Sequence, residues 1–223
     1  MIPRHVRFRQ SPERYLDGKP FFISERDYLE IQKALGSGFL NKLKTSLRKV
    51  SGLYSFLFNF IAPALLLGRR PESIYDYVHE NSLVIDIGSG NRRLHKNTVN
   101  VDVYPWQNVD ILADAHELPF ADNSVDGVVC TWVLEHLKNP LKAVRGFLRV
   151  LRPGGYLYLS TNFFLPYHPS PNDYYRWTAS GLRELFSDFE ILELKPGVGP
   201  ICAFLSSFQE LASLILSFNL KWL

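Results

Sequence analysis

Residues 84–93 read VIDIGSGNRR: a largely β-branched apolar run enters a Gly-x-Gly turn, and two arginines follow. Gly88 and Gly90 permit positive φ and let backbone N–H groups come close to a ligand. Downstream, Asp102 lies towards the end of the next apolar run, 99–104, where a carboxylate can accept two hydrogen bonds from the hydroxyls of a ribose. These residue types point to a nucleotide-like ligand. Asp86, just before the turn, would repel a phosphate and attract an ammonium group. Two histidines, His136 and His168, follow later apolar runs. Histidine changes charge near neutrality, so either could take a proton from an acceptor. A packing role at a helix start is the alternative for His136. Residues 163–178, FFLPYHPSPNDYYRWT, hold six aromatic side chains. Tyr167, Tyr174 and Tyr175 offer faces to an apolar or sugar-like acceptor, and Arg176 either holds an acidic group or pairs with Asp173.

These residues need elements to position them. Apolar, β-branched runs predict strands over 83–87, 99–104, 109–113, 124–132, 155–161 and 190–196. Helical patterns occupy 24–35, opened by Ser24, and then 39–67 and 71–80. A turn at Asn139-Pro140 leads to an amphipathic helix ending near 151, and Thr178 caps a further helix over 178–189. Residues 1–23 read as irregular. Strands alternating with helices imply an α/β fold: a doubly wound, mostly parallel, Rossmann-like sheet with helices on both faces and an N-terminal helical extension. Ligands then sit at the carboxyl ends of the strands, near the switch in strand order.

The first crossover decides between two nucleotide-like ligands. A dinucleotide site uses a third glycine for close helix–strand packing and places a pyrophosphate on the helix N-terminus. Here Asn91, Arg92 and Arg93 stand where that glycine is sought, and only residues 91–100 separate Gly90 from Val101. The crossover helix is therefore a single turn at most. S-adenosylmethionine fits better than NAD.

With 46% hydrophobic and 21% charged residues over 223 positions, the chain suits one α/β domain with additions and excludes wholesale disorder. Cys130 and Cys202 are the two cysteines, far apart and without metal-ligand spacing, so no disulfide framework and no metal site are expected. A reducing, cytoplasmic location fits. Residues 1–71 carry 13 Lys/Arg against 5 Asp/Glu, whereas 72–223 carry 12 against 17. A basic arm thus precedes an acidic body, which divides the chain into an N-terminal extension over 1–71, a cap or interface, and a ligand-binding domain over 72–223. The apolar run 53–67 is too short to span a bilayer and is broken by Asn59 and Pro63. With the basic residues of 42–49, Arg69 and Arg70 around it, the run suits peripheral contact with a membrane face through 42–70, or equally a buried helix.

Several passages, in order along the chain, resemble the class I S-adenosylmethionine-dependent methyltransferases, in particular the type 11 branch. They are Asp86-Ile87-Gly88-Ser89-Gly90, Asn100-Val101-Asp102-Val103, Asp114-Ala115 with Leu118-Pro119-Phe120, Asn123-Ser124-Val125-Asp126, the run from Thr131 to His136, and Leu151-Arg152-Pro153-Gly154-Gly155. The resemblance implies methyl transfer from S-adenosylmethionine by in-line displacement. It implies a cofactor site of Asp86, Ile87, Gly88, Ser89, Gly90, Asp102, Val103, Asp114, Ala115 and Thr131, with Asp102 on the ribose, Asp114 on the adenine amino group and Ala115 on the ring. The departures from the pattern are the absent third glycine and the short first crossover. No Asn-Pro-Pro-Tyr passage follows the fourth strand and Cys130 lies inside it, so nucleic acid is an improbable acceptor. A small molecule or a lipid- or glycan-linked compound is expected, with Tyr167, Tyr174, Tyr175 and Arg176 as its contacts and His136 and His168 as bases. A non-catalytic cofactor-binding protein and a Rossmann-type oxidoreductase are the alternatives.

Overall fold

The computed structural model describes residues 6–36, 67–169 and 172–199, with Phe204 and Ser207. The chain opens with a hairpin, β1 (Arg14–Leu16) pairing antiparallel with β2 (Lys19–Phe21). Asp17 and Gly18 connect them at φ 48° and 75°. Two left-handed residues make the type I′ turn whose twist matches that of the strands. The irregular reading of 1–23 is thereby corrected; the Asp-Gly pair between two short runs is the signal for it. α1 (Glu25–Gly36) follows, with Ser24 Oγ accepting the Asp27 N–H at 3.2 Å.

A 3₁₀ turn at Pro71–Asp76 replaces the helix predicted over 71–80 and leads to β3 (Val84–Ile87). Then come β4 (Thr98–Asp102), β5 (Ile111–Leu112), β6 (Val125–Thr131), α2 (Pro140–Val150), β7 (Leu151–Ser160) and α3 (Ala179–Leu185). The sheet runs β1-β2-β5-β4-β3-β6-β7, parallel throughout except for the first hairpin. The chain moves outward from β3 through β4 to β5, then returns to the other side of β3 as β6. The carboxyl end of β3 is therefore the switch point where such sheets bind ligands.

Period-two alternation divides the sheet. Ile85, Ile87, Val99, Val101, Val128 and Cys130 face the larger core, which α2 completes with Ala143, Val144 and Phe147 and the α3 region with Leu182 and Phe186. The opposite face bears Val84 and Val129 under Ile74 of the 3₁₀ turn, and Phe21 and Leu112 under Tyr28 of α1. Thr98, Asn100 and Asp102 of β4, Asp86 of β3 and Thr131 of β6 share the parity of that second face, and all five are buried.

Two strand expectations change. Arg152–Gly155 does not precede the fifth parallel strand but sits within β7, as an irregularity between the Val125–Leu151 and Gly127–Tyr156 pairs, with Gly154 at φ 77°. Residues 190–196 form no strand. Leu192 is exposed, and Glu193 makes ion pairs with Lys195 and with Arg69 instead of entering a ladder. The predicted helix over 39–67 and the apolar run 53–67 lie outside the described residues, apart from Leu67. No helix among the described residues is long and apolar enough to cross a membrane.

Phe147 is fully buried at the centre of the larger core. Phe147→Ala is expected to cost about 3–5 kcal/mol, read as a lower urea midpoint at unchanged slope.

Candidate cofactor and acceptor site

The turn after β3 is bound to the end of β4. Gly88 and Ser89 donate backbone N–H groups to the Val101 carbonyl at 2.8 and 3.2 Å. Gly90 donates to Asp102 Oδ2 at 2.8 Å, and Tyr104 donates to Asp102 Oδ1 at 2.9 Å. Gly88 and Gly90 lie at φ 64° and 57°. A β-carbon on Gly88 would stand 2.1 Å from Val133 Cγ2, whereas one on Gly90 would meet nothing within 4 Å. The first glycine is thus required by packing as well as by conformation. Burial raises the Asp102 carboxyl above its ordinary range, and the N–H donors from Tyr104 and Gly90 oppose that rise. A carboxylate has about four lone-pair sites, so Asp102 retains acceptor capacity for ribose hydroxyls.

No helix follows the turn; residues 91–97 are irregular. Their side chains cross-link the sheet instead. Arg93 reaches Asp110 at 3.0 Å and the Thr98 and Asn108 carbonyls at 2.9 and 2.8 Å. Asn91 accepts from Asn108 through both its side chain and its backbone. Arg92 Nη2 donates to both oxygens of Asp86 at 3.0 Å and to Thr131 Oγ1 at 3.1 Å. Asp86, expected to meet an ammonium group, therefore already has a cationic partner. In the sequence the arginines register only as a missing glycine. Desolvation raises the Asp86 carboxyl to about 6 against the attraction of Arg92, with Asp102 and Glu72 adding to the rise. Among the described residues, three buried polar atoms in this region lack a partner: Arg92 Nε, Asn100 Oδ1 and the Tyr104 hydroxyl.

Asp114 and Ala115, expected to contact adenine, lie at the end of β5. Asp114 caps the 3₁₀ turn Ala115–Glu117, its Oδ1 accepting from the His116 backbone at 2.8 Å and lying 2.7 Å from His116 Nδ1. Burial raises this carboxyl, but the His116 hydrogen bonds outweigh it and the net direction is downward. Oδ2 has no hydrogen-bond partner among the described residues. Ala115 is buried and Val103 half buried, so both offer apolar contact, while Ile87 points into the core and gives only its backbone. Ser89 is buried, its hydroxyl 3.4 Å from the Gly90 carbonyl. This donor set fits an adenosyl group, with Asp102 and Asp114 as acceptors and the Gly88–Gly90 backbone as the close-approach surface.

The residues expected to contact the acceptor lie beyond β6 and β7. Trp132, just after β6, stands in the left-handed region at φ 59°, unusual for a bulky residue and typical of functional sites. Trp132, Phe163, Phe164, Tyr167, Tyr174 and Tyr175 are all exposed there, Phe163, Phe164 and Tyr167 the most. Arg176 is engaged inside the loop. Its two Nη groups hold Asp173 and the Tyr175 and Pro166 carbonyls, and Nε reaches the Leu165 carbonyl. All five donors are occupied, so the pairing alternative describes Arg176, and its guanidinium holds the Asp173 carboxyl down at about 2.

Glu135 is fully buried, with Oε1 accepting from Asn162 Nδ2 at 2.6 Å and Oε2 from the Thr161 hydroxyl at 2.9 Å. His136 and His168 stand beside it with ring centroids 5.1 Å apart. The long interval between 136 and 168 hides this grouping from any local pattern. A separate cleft of about 230 Å³, lined by Tyr77, His79, Arg152 and Gly154 among others, opens at the amino ends of β3, β6 and β7, at the opposite end of the strands from the Gly88 turn.

A glycine turn at the switch point, with an acidic residue ending the next strand, defines an adenosyl-binding α/β domain. Residues 68–159 match the family described as a methyltransferase domain, which supports a class I S-adenosylmethionine-dependent methyltransferase with S-adenosylmethionine as its cofactor. Among curated relatives, a demethylmenaquinone methyltransferase of Desulfitobacterium hafniense is 35% identical over 35% of this chain and 32% of its own. A ubiquinone/menaquinone biosynthesis C-methyltransferase of Idiomarina loihiensis is 35% identical over 47% and 37%. A ubiquinone biosynthesis O-methyltransferase of Xanthomonas campestris is 44% identical over 31% and 27%. The matches thus span roughly a third of the relatives' length.

The raised Asp86 carboxyl sets a pH signature. The unfolded chain releases this proton near 3.8 and the folded chain near 6, so the favourable contribution of Asp86 is present below 3.8 and lost as pH rises to about 6. Each tenfold change in proton affinity is worth about 1.4 kcal/mol, so the wild type is expected to lose on the order of 3 kcal/mol relative to Asp86→Asn between about pH 4 and 7. Urea melts of both proteins across that range measure the difference, and a constant gap would count against the raised carboxyl.

Proposed function

We propose that the protein transfers a methyl group from S-adenosylmethionine to a small apolar ring compound, or to a lipid- or glycan-linked acceptor bearing one. The observation that carries this reading is the Asp102 carboxylate, held by Gly90 and Tyr104 at the end of β4. The exposed aromatic surface of Trp132, Phe163, Phe164 and Tyr167 supports an apolar acceptor. The quinone-pathway names of the relatives agree with that class and include both carbon and oxygen acceptors.

The sulfonium is already a strong electrophile. Alignment of acceptor, methyl carbon and sulfur in line is therefore most of the catalytic task, and orientation of this kind supplies roughly 7–11 kcal/mol. In this reading Asp102, Asp114 and the Gly88–Gly90 backbone hold the adenosyl group. Arg92, paired with Asp86 and Thr131, borders the methionine end. Tyr167, Tyr174 and Tyr175 contact the acceptor, and Arg176 keeps their loop in shape. His136 or His168 takes the proton when the acceptor is a hydroxyl. The acceptor oxygen or carbon would gain the methyl and lose its proton, the sulfur would keep the electron pair of the broken bond, and S-adenosylhomocysteine would leave.

Asp102→Ala is expected to weaken S-adenosylhomocysteine binding by about 1.5–3 kcal/mol, the scale of hydrogen bonds to a charged group. Titration calorimetry reads it, and equal affinity would remove Asp102 from the ribose. The layout of residues 42–70 further supports peripheral contact of a cytoplasmic protein with an anionic membrane face. Flotation with anionic liposomes should carry the protein upward; retention in the soluble fraction rules that contact out.

A further inference from the structure

The grouping of Glu135, His136 and His168 is not explained by binding an adenosyl group. Their ligand atoms all lie within 4.8 Å of one another. His168 Nε2 stands 3.8 Å from Glu135 Oε1, too far for a hydrogen bond. Two atoms each ~2.1 Å from one ion in tetrahedral geometry are about 3.4 Å apart, so the spacing suits a bridging cation after a small closure.

The partners of the far ring nitrogens point the same way. His136 Nδ1 lies 2.6 Å from the Asn172 carbonyl, and His168 Nδ1 lies 3.1 Å from the Pro166 carbonyl and 3.5 Å from Asp173 Oδ2. A carbonyl oxygen only accepts, so each Nδ1 carries a proton and Nε2 is the nitrogen left to offer a lone pair to an ion. Histidines that bind metals are oriented in this way, by a carbonyl or carboxylate on the far nitrogen.

Charge supplies a third argument. Glu135 is shut from solvent and holds two neutral hydrogen-bond donors. The nearby Arg176 acts on Glu135 only through space, because all its donors are engaged with Asp173 and three carbonyls and Asp173 offsets its charge. A buried carboxylate is costly without a compensating positive charge.

We propose that Glu135, His136 and His168 bind a first-row divalent metal ion such as Zn²⁺, leaving a coordination position for water or for an oxygen of the acceptor. Two imidazoles and one carboxylate form a donor set suited to such ions, and three protein ligands are the pattern of sites that keep a position open. His168 is 38% exposed in its side chain, so the histidine side has a path from solvent. The absence of a cysteine motif does not bear on this site, because its ligands come from the end of β6 and the aromatic loop. The ion would engage both Nε2 lone pairs and so would replace the base role given to these histidines above; its use in methyl transfer rests on that reading, whereas binding of the ion does not.

The full chain, stripped with a chelator and without added cofactor, is titrated with ZnCl₂ by calorimetry and with CoCl₂ by visible absorption. One equivalent of metal and a cobalt band stronger than that of the aqua ion are expected. His168→Ala should weaken Zn²⁺ binding by about tenfold or more, while His79→Ala, at the opposite end of the strands, should not. No uptake, or equal affinity in His168→Ala, overturns the proposal and assigns the group to an imidazolium–carboxylate pair. If His168→Ala fails to melt cooperatively, the cobalt spectrum of the wild type decides. S-adenosylhomocysteine is titrated separately into the metal-free protein: failure there removes the methyl-transfer reading and leaves the metal site standing.

Discussion

One carboxylate ties the site together. Asp102 ends β4 and receives an N–H from Gly90 on one oxygen and an N–H from Tyr104 on the other. The first bond fixes the turn that follows β3; the second fixes the exit of the chain toward β5. The Val101 carbonyl holds the same turn through Gly88 and Ser89. Conformation, packing and recognition meet in these few atoms. Gly88 must be glycine because Val133 occupies the space its β-carbon would need, and Asp102 keeps acceptor capacity after satisfying two backbone donors.

The sheet has one apolar face and one mixed face, and the mixed one explains the unusual first crossover. Asp86, Asn100 and Asp102 are buried on neighbouring strands. Such a group of polar and acidic side chains requires donors and positive charge. Arg92 supplies Asp86, Arg93 supplies Asp110, and Asn100 Nδ2 donates to the Arg92 and Asn108 carbonyls. A regular helix with a third glycine would not place two guanidinium groups here. The irregular segment 91–97 cross-links the sheet through polar contacts, as a packed helix does elsewhere through apolar ones.

Much of this is legible in residue types and spacing. The five central parallel strands can be found because buried strands read as short apolar runs bounded by turn residues. The helices at α2 and α3 can be found because Asn139 and Thr178 are good caps, and both side chains do cap. The hairpin before α1 escapes the pattern, although Asp17-Gly18 signals it, because its strands have three residues each. The strand expected over 190–196 fails because periodicity says nothing about whether an edge is free to pair. Arg92 reads as a lost glycine because a linear motif cannot reveal that its side chain returns to Asp86.

Residue order alone was enough for the α/β class, the succession of strands and helices, and the candidate contacts Gly88, Gly90, Asp102 and Asp114, because these depend on local conformation and on spacing within one or two elements. Which charges are neutralised, and by whom, came only with the folded chain: Arg92 against Asp86, Arg176 against Asp173, and the meeting of Glu135 with His168. The difference is one of range. Backbone preference and hydrophobic period act over a few residues, whereas the desolvation of a charge and the partner that offsets it are set by groups brought together across the sheet.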